Sequence, residues 1–89
     1  MTPFAKKVYK ALLTIPPGEV RTYKWLASKA GRPQAFRAVG QILKNNPYPL
    51  IIPCHRIVES SGKIGGYVWG KKIKKRLLDL ERQIKNLML

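Results

Sequence analysis

The sequence predicts a mainly α domain: compact and helical, with a winged-helix-like helix-turn-helix unit and little sheet. Three observations predict this class. Apolar residues recur at helical spacing near both ends of the chain. Two short helical segments in the middle are joined by a glycine turn, Gly31-Arg32. The stretches between helices are rich in proline and glycine, which leaves room only for short extended pieces. With 89 residues the chain builds one hydrophobic core, so residues 1–89 are expected to form a single domain with no additional N-terminal domain.

The first helix starts at Thr2-Pro3, an N-cap residue followed by proline at the first helical position. Phe4, Val8, Leu12 and Ile15 form its apolar stripe, and Pro16-Pro17-Gly18 ends it. Val20-Arg21 adds a short extended piece before Thr22, which caps a second helix to about Ala30. After the Gly31-Arg32 turn, Pro33 opens a third helix to about Lys44. Asn45-Asn46-Pro47-Tyr48-Pro49 must be an irregular loop, because two prolines forbid helix there. Leu50-Ile51-Ile52 is expected to be buried, delivering Pro53-Cys54-His55-Arg56 to a defined place. Ser60 to Gly66 reads as a turn-rich loop whose glycines permit close backbone approach. The last helix runs from about Lys71 toward Asn86, with Ile73, Leu77, Leu80, Ile84 and Leu87 as its apolar stripe and most of its lysines elsewhere on the surface.

Composition narrows the function classes. Eighteen Lys and Arg against four Asp and Glu give a formal charge of +14, which favours a polyanionic partner. Nucleic acid is the first candidate and an acidic membrane surface the second. No apolar run approaches the ~20 residues that span a bilayer, and Met1 to Lys7 has no signal-peptide pattern. One cysteine excludes an internal disulfide, and one Cys with one His makes a structural zinc site improbable. The expectation is a soluble, intracellular, basic domain.

On the third helix, Phe36, Val39 and Leu43 share one side, while Gln34, Arg37, Gln41 and Lys44 share the other. Ala38 and Gly40 flank the polar strip, small enough to let a helix backbone approach DNA. Lys and Arg suit phosphates and Gln suits base edges. An ordinary solvated helix face has the same pattern; the net charge favours DNA. Arg37, in the middle of that face, is a cation that could enter a groove or a gap in the base stack, although taken alone such a residue is more often a phosphate or surface salt-bridge contact.

Cysteine attacks as a thiolate, and Cys54 lies beside His55 and Arg56. His55 could take the thiol proton directly or through water, given a helical or turn geometry. Taken alone, a cysteine after an apolar run is more often a core residue. Of the four acids, Glu81 borders the stripe of the last helix, where it can orient His55 or simply pair with a surface lysine.

Several motifs then occur in order: Gly18-Glu19-Val20 with Thr22-Tyr23, Arg37-Ala38-Val39-Gly40, Asn46-Pro47, Ile52-Pro53-Cys54-His55-Arg56-Ile57-Val58, Ser61-Gly62 and Gly65-Gly66-Tyr67. From Phe4 to Glu81 the chain resembles the C-terminal DNA-binding and active-site domain of the O6-alkylguanine-DNA alkyltransferases. The resemblance implies that Cys54 accepts an alkyl group from guanine O6 as a stable thioether, once per molecule, after the nucleotide is flipped out of the duplex. It implies that His55 is the base through a water, that Glu81 orients it, and that Tyr23 donates to guanine N3. Arg37 becomes the finger that fills the vacated space, and Asn46 the hinge between the DNA-binding helix and the active-site loop. Main-chain contacts to the base fall on Cys54, Ile57 and Val68, with Tyr67 also in the base pocket. Gln34, Ala38, Gln41, Lys44 and Arg56 complete the DNA-binding set. The implied partner is double-stranded DNA containing O6-alkylguanine, met by a monomer in the cytoplasm, at the nucleoid, without membrane, metal or cofactor. Trp69 stands where some relatives have smaller residues, either narrowing the pocket or anchoring the last helix. The competing readings are an alkyltransferase-like sensor that binds alkylguanine without transfer, against which Cys54 argues, and a basic helix-turn-helix module with an incidental cysteine.

Overall fold

The computed structural model describes residues 2–88. Its elements, in chain order, are helix α1 (Pro3–Leu12), strand β1 (Arg21–Thr22), helix α2 (Tyr23–Lys29), helix α3 (Phe36–Lys44), a 3-10 turn (Cys54–Arg56), strand β2 (Ile57–Val58) and helix α4 (Lys71–Met88). The fold is mainly helical, with one small sheet, as the sequence predicts.

Local chemistry sets most boundaries. The Thr2 hydroxyl accepts from the Ala5 amide at 3.1 Å, and the Thr22 hydroxyl accepts from the Trp25 amide at 3.0 Å, so both threonines cap their helices. Gly31, at φ +92°, ends α2. Its amide donates to Ser28 and that of Arg32 to Ala27, the paired bonds of a Schellman cap that only a left-handed residue completes easily. Proline at 33 does not start α3. Residues 32–35 instead form a turn, with the Ala35 amide donating to Arg32, and the helix begins at Phe36 without a side-chain cap.

Val8, Leu12, Ile15, Leu26, Ala27, Val39 and Ile57 are buried together, so the core joins α1, α2, α3 and β2. The Tyr9 hydroxyl donates to the Ile42 carbonyl at 2.8 Å and ties α1 to α3. β1 and β2 are parallel, with Arg21 opposite Ile57 and Thr22 opposite Val58. That short ladder fixes the start of α2 against the segment that follows Cys54.

Two expectations of burial are overturned. Leu50 and Ile51 are 46% and 75% exposed, because residues 48–52 close into a turn with Leu50 at φ +77° and the Ile52 amide donating to Tyr48. Only Ile52, half-buried, packs on the core. The apolar stripe of α4 does not face the core either: Ile73 (38%), Leu80 (52%), Ile84 (42%) and Leu87 (86%) are exposed, while Lys74 is fully buried. Polar contacts set the rotation of this helix. The Lys74 ammonium donates to the carbonyls of Ile57 (2.5 Å) and Gly66 (3.1 Å), and Glu81 meets Arg56 and His55. Gly18, at φ +86°, lets α4 approach closely, since a Cβ there would lie 2.7–2.8 Å from the Lys85 side chain.

Candidate active site and nucleic-acid interface

Pro53 shapes the centre of the site. Its φ of −79° and ψ of 65° are those of an inverse γ-turn, and the Cys54 amide donates across it to Ile52 at 2.7 Å. The chain then enters the 3-10 turn, closed by the Arg56 amide donating to Pro53. This is the turn geometry that adjacent nucleophile and base require; on an extended strand their side chains would diverge.

Cys54 is buried, as is His55. The amide of Asn46, just after α3, donates to the Ile52 carbonyl at 2.9 Å and to Cys54 Sγ at 3.3 Å, while its oxygen accepts from the Tyr48 amide. One side chain thus joins the end of α3 to the active-site turn. Burial pushes the Cys54 thiol up, against the opposing pull of the Asn46 hydrogen bond and the Lys74 charge. Burial likewise pushes His55 down, so the imidazole is neutral near pH 7 and has a lone pair to offer. A thiol held protonated beside a neutral imidazole is a nucleophile that needs its base.

Glu81 Oε2 lies 3.0 Å from His55 Nε2, close but off the direction of a well-aligned ring N–H bond. The same carboxylate binds Arg56 through Nε (3.0 and 3.2 Å) and Nη2 (2.6 Å). Burial raises its pKa, but the Arg56 hydrogen bonds and the adjacent His55 outweigh burial and leave Glu81 below the ordinary carboxylate value. Arg56 Nη1 also donates to the Ile15 carbonyl at 2.8 Å. Arg56 is thus turned inward, away from the exposed face of α3: its side chain is 13% exposed, and Nε, Nη1 and Nη2 each donate to Glu81 or Ile15.

A cavity of about 470 Å³ opens onto Cys54, walled by Tyr23, Gly40, Lys44, Gly66, Tyr67 and Val68. That size suits a small ligand or a single base. Tyr23, half-buried at the start of α2, has its phenol pKa raised by burial first and by the nearby Glu59 and Cys54, so it remains a proton donor. Its hydroxyl would be 3.2 Å from a Cβ at Gly65, which explains the glycine at φ +77°. Tyr67 stacks edge-on to His55 at 6.1 Å and to Trp69 at 5.9 Å, so Trp69 backs the pocket wall and does not block its mouth. The Ile57 side chain lies in the core, off the pocket wall, and its carbonyl already accepts from Lys74.

A second cavity, of about 450 Å³, adjoins the first through Tyr23 and Gly40 and is bounded by Arg37, Lys24, Glu59 and Ser61. Arg37 is exposed near the start of α3, beside the pocket. Ala38, Gln41 and Lys44 are exposed on the same helix, whereas Gln34 lies in the preceding turn and not on the helix. Nothing lies within 4 Å of a Cβ built at Gly40, so the fold itself leaves that position open.

Residues 3–83 match the family described as 6-O-methylguanine DNA methyltransferase, DNA binding domain. The chain belongs to this family. Among curated methylated-DNA–protein-cysteine methyltransferases, that of Methanosarcina barkeri is 54% identical over 80 residues, 90% of this chain and 51% of the relative. This methyltransferase-family chain thus spans about half the length of the curated relatives it matches. Of solved structures, Mycobacterium tuberculosis OGT in complex with DNA superposes with a TM-score of 0.90 at 48% identity, over 93% of this chain and 51% of that one. S. pombe Atl1 in complex with damaged DNA containing O6-carboxymethylguanine gives 0.79 at 35% identity, over 91% of this chain and 77% of that one.

The structure brings Cys54, His55, Glu81, Asn46, Tyr23, Tyr67 and Val68 around one centre, with Arg37 at its edge. Lys74 is the site residue that sequence reasoning missed. Its spacing on α4 differs in no visible way from that of its exposed lysine neighbours.

Proposed function

We propose that this domain repairs DNA by taking the alkyl group from O6 of guanine onto Cys54, acting once, as a monomer on duplex DNA. The observation that carries the proposal is a buried cysteine in a turn with a neutral histidine, held by Asn46, at the floor of a base-sized cavity beside a basic helix. The target base must leave the stack to reach such a floor. His55 takes the Cys54 proton through a bridging water, and Glu81 stabilises the imidazolium that results. The sulfur then forms a bond to the alkyl carbon as the bond from that carbon to O6 breaks. The electron pair goes to the guanine, and Tyr23 donates toward N3 to ease its departure. Arg37 fills the space the base vacates. Its position at the cavity beside the pocket supports that role. A +14 chain repels its own copies and attracts phosphate, in keeping with a monomer on DNA.

The test is incubation with duplex DNA bearing a labelled methyl on guanine O6. At most one label per protein, on Cys54 and absent in Cys54→Ala, is the expected outcome. Damage-selective binding with no label transferred would overturn the transfer step and leave a sensor.

A further inference from the structure

Helix α4 packs on the domain through a narrow polar edge. At 100° per residue, Lys74, Leu78, Glu81 and Lys85 centre about 110° from the stripe formed by Ile73, Leu77, Leu80, Ile84 and Leu87. The first set faces the 3-10 turn and the loop at Gly18; the second is turned to the side, with Leu77 half-buried and the other four exposed. None of the five lines either cavity.

The spacing of the exposed set is informative. The steps from residue 73 to 77, 80, 84 and 87 alternate four, three, four, three, the repeat of a coiled-coil seam with Leu77 and Ile84 at a and Ile73, Leu80 and Leu87 at d. A surface helix that merely caps a core carries a broader apolar face, and a strict a/d stripe is the narrower seam that another helix fills. It extends about 21 Å at 1.5 Å per residue. One flank of the seam is closed by the protein's own Lys74 and Glu81. The open flank carries Arg76 and Gln83, with Lys72 and Asp79 beyond them.

We propose that this seam docks an amphipathic helix of a partner protein, with apolar a and d residues and acidic residues flanking them. Charge selects this occupant. The open edge is cationic, and the one acid at an e or g position of α4, Glu81, is already bound to His55 and Arg56. A second copy would bring Arg76, Lys72 and Lys75 against like charges, with Asp79, farther round the helix than Arg76, the one acid on that side. The docked helix leaves the Cys54 cavity and the α3 face open, so the protein holds its partner and DNA at once.

The probe is a fluorescein-labelled 21-residue peptide of three heptads, with Leu or Ile at a and d and Glu at e and g, titrated with the full chain. Saturable binding is expected, with affinity at least tenfold lower for a scrambled peptide of the same composition. Leu80→Ser with Ile84→Ser, which leaves charge unchanged, should also lower it at least tenfold while methyl transfer to Cys54 is retained. Arg76→Glu should weaken the Glu peptide and strengthen one with Lys at e and g. Equal binding of the scrambled peptide would reduce the effect to bulk charge and overturn the proposal. So would a dimer in sedimentation that the double Ser variant dissolves, or binding to phosphatidylserine vesicles with none to the peptide.

Discussion

Replacing Arg56 by Ala separates a structural cation from a DNA contact. Its guanidinium makes three hydrogen bonds of 2.6–3.2 Å to Glu81 and one of 2.8 Å to the Ile15 carbonyl. The side chains of the pair are 13% and 15% exposed. Breaking a buried ion pair from one side costs about 3–5 kcal/mol, because the remaining charge loses its partner. Glu81 keeps His55 nearby and some contact with water, which places the loss near the lower end, about 3 kcal/mol. A domain of this size has roughly 4–13 kcal/mol in all. At about 4–8 °C per kcal/mol, the melting temperature should fall by ~12–24 °C. Urea unfolding followed by circular dichroism measures this directly, as a lower midpoint at unchanged slope. The companion measurement is DNA affinity against salt, at a temperature where the variant is folded. A residue that touches no phosphate leaves the slope unchanged, whereas loss of a phosphate contact lowers it by about one. Unchanged stability together with a shallower salt dependence would refute the structural assignment and return Arg56 to the DNA face.

Other perturbations read other parts of the site. Burial depresses Lys74 to about 8, so between pH 8 and the ordinary lysine value the unfolded chain holds a proton that the native chain has released. Stability from this group therefore rises with pH across that window, by roughly 3 kcal/mol in full. Tyr67, raised to about 12, and Cys54 act in the opposite sense at high pH, so the measurement is the difference between wild type and Lys74→Met, which should grow from pH 8 to 10. Gly40→Ala should stabilise the free protein by about 1 kcal/mol, since the new methyl meets nothing in the fold, yet weaken DNA binding; a fall in melting temperature would contradict the open surface. Asn46→Ala removes the donor to Ile52 and Cys54, costing about 1–3 kcal/mol. It should also move the pH midpoint of iodoacetamide labelling upward, and an unmoved midpoint would show that Asn46 does not tune the thiol.

Much of the fold was legible in local sequence. Thr2 and Thr22 cap, Gly31 ends α2 and Pro53 bends the chain because each effect acts within a few residues. The α4 stripe shows where this legibility stops. Periodicity says which residues share a face but not which face turns inward, and here a carboxylate and an ammonium set the rotation through partners 17–25 positions away. The inward turn of Arg56 was illegible for the same reason, since nothing near it in sequence announces Glu81. At Leu50 and Ile51 an apolar run suggested burial, but the turn around a left-handed residue pushed it outward. The pairing of Cys54 with His55 was legible as a possibility, and the sequence did not announce the 3-10 turn that carries both residues.

The small parallel ladder also affects how such a protein can diversify. Tyr23 directly follows β1, and Cys54 lies three residues before β2, so two walls of the pocket are carried by backbones that the ladder holds in register. The third wall, Gly66 to Val68, has a different attachment: Lys74 holds the Gly66 carbonyl, and Tyr67 rests against Trp69. Substitutions along residues 66–69 can therefore reshape the room for an adduct while the distance from acid to nucleophile stays unchanged. Changes in adduct range should arise on this wall, with the reacting groups inherited intact.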